Sequence, residues 1–185
     1  RVRGWALEVE DMVGRWPESL VKLDVDRFEE SELATLLGEL PPNLTAFTYR
    51  ADLKKVYRRL PPSIARLPPG LIVLKLAGYC FESSELSLLP RTLEHLEFLS
   101  LSVVGSDIKS AFPPNLTRLH FHRMTGSNSS TVAQALSPLS SLTDLTVCTF
   151  QTSAYSIVLD LDLELLPKQI RSLRFAAQTS ANLAH

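Results

Sequence analysis

Three of the four histidines, His95, His120 and His122, lie close in sequence to Glu97, Arg118 and Arg123. Imidazole nitrogens joined by a carboxylate are zinc-type ligands, and an imidazole among charged groups titrates near neutrality. The cluster could therefore hold a metal, respond to pH, or recognise a partner through charge. Other residues offer less. Cys80 and Cys148 are the only thiols and show no CxxC spacing, so they read as two free cysteines. Lys54, Lys55, Arg58 and Arg59 form a basic run suited to phosphate or an acidic partner. Asp160, Asp162 and Glu164 form an acidic row without the glycine turn of a calcium loop. Both runs read more simply as solvated faces. Asn43, Asn115 and Asn128 each begin an Asn-x-Ser/Thr glycosylation acceptor. There is no GxSxG elbow, no phosphate-binding glycine loop and no HExxH. The chain thus reads as non-enzymatic, with no cofactor and no metal.

Composition narrows the classes further. The chain has 185 residues, 45% of them hydrophobic and 21% charged, with a formal net charge of -1. This is a globular composition with ample length for a core. The near-neutral charge excludes a generally basic nucleic-acid binder. No apolar run approaches the ~18 residues needed to span a bilayer, so no membrane insertion is expected. The chain opens Arg1-Val2-Arg3-Gly4, without an initiator methionine or an apolar leader. It therefore reads as a segment of something longer, with the compartment open and the cytoplasm marginally favoured.

What positions the histidine cluster is a repeat. Leucine supplies 34 residues and proline 12, and both are periodic. One phrase recurs: proline, two residues, an apolar residue, two residues, leucine or phenylalanine, one residue, an apolar residue. It reads Pro17–Leu20–Leu23–Val25, Pro41–Leu44–Phe47–Tyr49, Pro68–Leu71–Leu74–Leu76, Pro90–Leu93–Leu96–Phe98, Pro113–Leu116–Leu119–Phe121 and Pro167–Ile170–Leu173–Phe175. A further copy, Leu142–Leu145–Val147, has Leu139 in the proline's place. The last pair in each phrase alternates as a strand does. Proline, which cannot donate to a ladder, belongs just ahead of that strand. Between phrases the period changes. Leu33, Leu36, Leu37 and Leu40 have helical spacing, as do Leu53, Val56, Tyr57 and Leu60, and Val132, Ala135, Leu136 and Leu139. Ser153–Leu166 is ambiguous and reads as a helical or irregular connector. Each unit is then a short strand followed by a helix or turn, stable only when stacked on its neighbours.

This pattern resembles the leucine-rich repeat superfamily, whose core is L-x-x-L-x-L with units of 20–29 residues. The resemblance covers about residues 17–178 and implies an α/β solenoid of about seven repeats. In that fold a curved parallel sheet lines the concave side, and helices and turns form the convex side. The family's Asn/Cys position holds Phe28, Asp52, Tyr79, Leu101, Met124, Phe150 and Gln178, so no asparagine ladder forms and bulky side chains fill that turn. The leading prolines resemble those of bacterial LPX effectors and of slime-mould repeats. The shorter period of the first and the Phe-Asn-Gln signature of the second are absent. Residues 17–185 are expected to form one solenoid, and residues 1–16 an N-terminal segment or degenerate partial repeat.

Stacking of this kind turns the residues between the apolar anchors outward onto the concave face, the surface solenoids use for binding. The expected partner-binding residues are Lys22, Asp24, Arg50, Lys75, His95, Glu97, Arg118, His120, His122, Arg123, Asp144 and Arg174. Leu99 falls on the same face by offset. His120 should face Glu97 across one strand gap, which would favour the imidazolium form. A flat sheet seldom converges three ligands tetrahedrally, so the histidines are read as recognition residues. The function expected is a protein-interaction module, and uncapped terminal repeats offer a route to self-association. The alternative is a recognition or regulatory segment of a larger protein such as a ubiquitin-ligase receptor.

Overall fold

The computed structural model describes residues 16–26, 30–50, 58–102, 112–125, 129–151 and 163–179. Its strands are β1 (Lys22–Asp26), β2 (Ala46–Arg50), β3 (Arg58–Arg59), β4 (Val73–Glu82), β5 (His95–Ser102), β6 (Arg118–Thr125), β7 (Asp144–Gln151) and β8 (Ser172–Thr179). Seven of them pair in parallel in the order β1-β2-β4-β5-β6-β7-β8, and β3 pairs with β4 off this path. Each of the seven begins two residues after the first apolar residue of a repeat phrase. This is the stack of parallel strands, joined by helices and turns, that the repeat phrase implied.

The reason lies in the turn before each strand. The N–H of Leu20, Leu44, Leu71, Leu93, Leu116, Leu142 and Ile170 donates to the carbonyl three residues back, at 2.9–3.4 Å. That carbonyl belongs to the leading proline in six cases and to Leu139 in the seventh. Pro42, Pro69 and Pro114 occupy the next position of the turn, where proline's fixed φ is favoured. One residue past the turn, the carbonyls of Val21, Thr45, Ile72, Glu94, Thr117 and Thr143 each accept two N–H groups from the following repeat. Every joint between rungs is thus made in the same way.

The phrase Pro-Pro-Asn-Leu-Thr contributes twice more. Asn43 Nδ2 donates to Glu18 O at 3.3 Å, and Asn115 Nδ2 to Arg91 O at 3.1 Å. Thr45, Thr117 and Thr143 Oγ1 donate to the carbonyls of Val21, Glu94 and Thr117 at 3.0–3.2 Å. Two of the three glycosylation-like triplets are therefore part of the stacking machinery. The third, at Asn128, lies outside the described residues.

Register places two apolar columns on the inner face. Leu23, Phe47, Leu74, Leu96, Leu119, Leu145 and Leu173 pair in sequence, as do Val25, Tyr49, Leu76, Phe98, Phe121, Val147 and Phe175. All but the last member of each column are buried. Phe98 sits 5.0 Å from Phe81, edge to face, and 5.7 Å from Phe121, stacked. Helices pack against parts of this apolar face, in one core with the two columns. The helix α1 (Glu30–Gly38) buries Leu33, Leu36 and Leu37, and α3 (Ser129–Leu136) buries Ala133, Ala135 and Leu136. The single turn α2 (Ser83–Leu86) is closed by a capping box between Glu82 and Glu85. The segments Pro62–Arg66 and Leu163–Leu165 are 3₁₀ turns; the second is the end of the connector expected over Ser153–Leu166, of which residues 153–162 lie outside the description.

Four expectations need correction. The helical spacing of Leu53–Leu60 ends in a strand, with Arg58 opposite Tyr79 and Arg59 opposite Cys80; residues 51–57 lie outside the description. Edge pairing with the long β4 wins there over an amphipathic stripe. Leu99 is covered rather than solvent-facing, at 5% exposure, although it lies outside the core that holds Leu96 and Phe98. Opposite it, the pairing of β4 with β5 shifts register between Leu76 and Cys80, where Gly78 takes φ 97, a conformation that favours glycine. Leu173 and Phe175 are 37% and 52% exposed, because β8 pairs only with β7 among the described residues. Thr48 shares the outward register of Asp24 and Lys75, as its offset in the phrase implies, but is only 8% exposed. The bulky-turn expectation can be read at Tyr79, which is fully buried 5.5 Å from Tyr49.

Candidate functional site

The pairing produces transverse rows of outward side chains. One row runs Lys22, Ala46, Val73, His95, Arg118, Asp144, Ser172, and the next runs Asp24, Thr48, Lys75, Glu97, His120, Thr146, Arg174. Arg50 stands in a third row beside Asp26. Of the expected partner-binding residues, all but two have described side chains on this face. His122 and Arg123 lie in β6, with Arg123 opposite Ser100, but their side chains lie outside the description.

Short side chains sit low and long cations stand up. Asp24, Lys75, His95, Glu97, His120 and Asp144 are half-buried, whereas Lys22, Arg50, Arg118 and Arg174 are exposed. The two rows enclose a shallow depression of about 400 Å³ over β5–β8, with Lys75 at one margin and Arg174 at the other. Thr146 and Ser172 line it as well, and neither stood out by charge in the sequence.

Ion pairs cross the strands. Lys75 Nζ lies 3.0 Å from Glu97 Oε2, and Arg118 Nε 3.9 Å from Asp144 Oδ2, which also accepts from Thr143 Oγ1 at 2.8 Å. Towards the first rungs, Lys22 Nζ is 3.7 Å from Asp24 Oδ2 and Arg50 Nη1 3.4 Å from Asp26 Oδ1. These pairs are solvent-facing and contribute little to stability, each about 0–1 kcal/mol.

His120 does face Glu97, with Nδ1 3.9 Å from Oε1. The expected protonation does not follow. Burial holds the His120 pKa below its ordinary 6.5; Glu97 opposes that shift, but Lys75 reinforces it. Burial outweighs the field of the carboxylate, and the ammonium that pairs with Glu97 at 3.0 Å adds a smaller push the same way as burial. His95 is also lowered, first by burial and then by Arg118. Both histidines therefore favour neutrality in the folded chain. A lowered folded pKa means that the unfolded chain binds protons more readily, so stability is full above pH 6.5 and declines below it. Thermal melts from about pH 7.5 to about pH 5.5 should show a falling midpoint, and His95→Asn/His120→Asn should flatten that slope. An unchanged slope in the double variant would contradict the assignment.

Among the described residues, no group of three or more His, Cys, Asp or Glu side chains is placed to hold a metal ion. Cys80 in β4 and Cys148 in β7 are separated by three strand spacings, on the order of 15 Å. That exceeds the roughly 7 Å reach of a disulfide. No helix among the described residues is long and apolar enough to cross a membrane.

No protein-family model matches the chain. No curated protein matches it either. Among solved structures, the chain is similar to the leucine-rich repeat-containing protein LegL7 from Legionella pneumophila. The identity is 17% with a TM-score of 0.41, covering 77% of this chain and 52% of that one. The chain thus spans about half the length of that structure.

Proposed function

We propose that the chain is a non-enzymatic protein-interaction module whose partner lies along the concave sheet face. The observation that carries this reading is the pair of transverse rows. They hold regularly spaced side chains of both charge signs across the seven stacked strands, all anchored by one repeating set of backbone bonds. Affinity in such a surface comes from many small contacts, and specificity from the placement of charge. The depression is shallow and polar, and its carboxylates are engaged by cations. That arrangement suits recognition better than acid–base catalysis, which needs groups converging on one reacting atom. Residues 17–185 act in this reading as one solenoid, whether alone or as the recognition segment of a larger protein.

The triple variant Arg118→Ala, His120→Ala, Arg123→Ala should weaken binding of an identified partner by about tenfold or more. Arg118→Ala alone should weaken binding in the same direction with the thermal midpoint nearly unchanged, because substituting an exposed side chain shifts stability by only about 0.5 kcal/mol. Affinity that survives the triple variant but is lost in a convex variant such as Gln134→Arg would overturn the concave assignment.

A further inference from the structure

Charge on the concave face is unevenly satisfied. Asp24, Asp26, Glu97 and Asp144 each lie within 4 Å of a cation. Among the concave cations whose side chains are described, Arg174 alone has no carboxylate at ion-pair distance, and it is exposed. Its row places Thr146 between it and His120, one strand spacing of about 4.8 Å on either side. Arg118 stands in the neighbouring row, 65% exposed and only loosely held by Asp144 at 3.9 Å.

We infer that the depression over β6–β8 receives an acidic peptide segment, with an Asp or Glu carboxylate seated over Thr146 between His120 and Arg174. This deepens the concave reading and rests on it. A guanidinium fork takes a carboxylate through two parallel N–H bonds, and the threonine hydroxyl supplies a third donor. A basic segment would bring a second cation onto Arg174. An apolar one would strip its water without replacing the bonds. Arg118 is placed to meet a second carboxylate further along the segment.

The same geometry links binding to protons. His120 is faced by Glu97 from β5 and by Lys75 beyond it on β4. His95 on β5 lines the same depression, Arg118 stands beside His120 on β6, Asp144 and Thr146 on β7, and Arg174 on β8. An arriving carboxylate adds negative charge beside a half-buried imidazole that is mainly neutral at pH 7.5, so binding takes up a proton and tightens as pH falls.

The test is fluorescence anisotropy of the whole chain with two labelled probes, a Glu-Gly repeat peptide and a Lys-Gly repeat peptide. The acidic probe should bind and the basic one should not. Arg174→Ala should weaken the acidic probe about tenfold, Arg174→Glu more, and Thr146→Trp should abolish binding. Affinity should rise at least about threefold between about pH 7.5 and pH 5.5, and His120→Asn should remove that rise. Failure of the acidic probe to bind, or equal binding of both probes, overturns the inference. Loss with Thr146→Trp but none with Arg174→Ala overturns the acidic seat and leaves the concave reading standing. Binding indifferent to both substitutions overturns the two together.

Discussion

Phe98→Ala should lower stability by about 3–5 kcal/mol, the range for deleting a fully buried aromatic side chain. Phe98 is 0% exposed and holds contacts on both sides, edge to face with Phe81 and stacked on Phe121. It lies on β5, the middle strand of the seven-strand stack, so its loss strikes the joint between two halves. In a solenoid each rung is stabilised by its neighbours, and a weakened centre can uncouple the flanks. Chemical denaturation should therefore show a lower midpoint and, where the halves separate, a second transition. A single transition at the native midpoint would mean that the aromatic column does not carry the core. Leu119→Ala, one strand along, should behave similarly at about 2–5 kcal/mol.

The second expected result is a contrast between adjacent residues. Leu145 is fully buried in the apolar column, while Thr146 beside it faces the depression between His120 and Arg174. Leu145→Asp would bury a carboxylate without a partner, a cost of several kcal/mol comparable with a domain's whole stability. Thr146→Asp would set the same group in half-solvated surroundings beside cations and should leave the thermal midpoint nearly unchanged. Circular dichroism melts of the two variants compare them directly. Equal damage at both positions would contradict the period-two register of β7, because a slip of one residue exchanges the two faces.

The ladder was legible in the sequence because its cause is local. A proline, or Leu139 in its place, supplies the turn carbonyl, the apolar residue three positions on closes the turn, and the strand starts two residues later. Nothing distant decides it. The helices at Leu33–Leu37 and Ala133–Leu136 were equally legible from 3.6-residue spacing. What escaped depended on packing between rungs. The bulge at Gly78 inserts residues into β4 without disturbing the leucine spacing, and nothing in that spacing marks Leu99 as covered. Arg58–Arg59 reads as the end of a helix until β4 offers an edge to pair with. The pairing of His120 with Glu97 followed from register, but its protonation did not. That depends first on burial, which outweighs the pull of Glu97, and to a lesser degree on Lys75. The donor roles of Asn43, Asn115 and the threonines were visible only as a recurring phrase; their partners lie a full repeat away.

The order of the rungs can be measured by pulsed electron paramagnetic resonance, with spin labels on paired cysteine variants of the outward row. With one label at Asp24, partners at Glu97, Thr146 and Arg174 lie three, five and six strands away. Distances should grow with each rung, near about 14, 24 and 29 Å at roughly 4.8 Å per strand. A Thr146 or Arg174 label found as close to Asp24 as the Glu97 label would mean that the strands do not stack in this order.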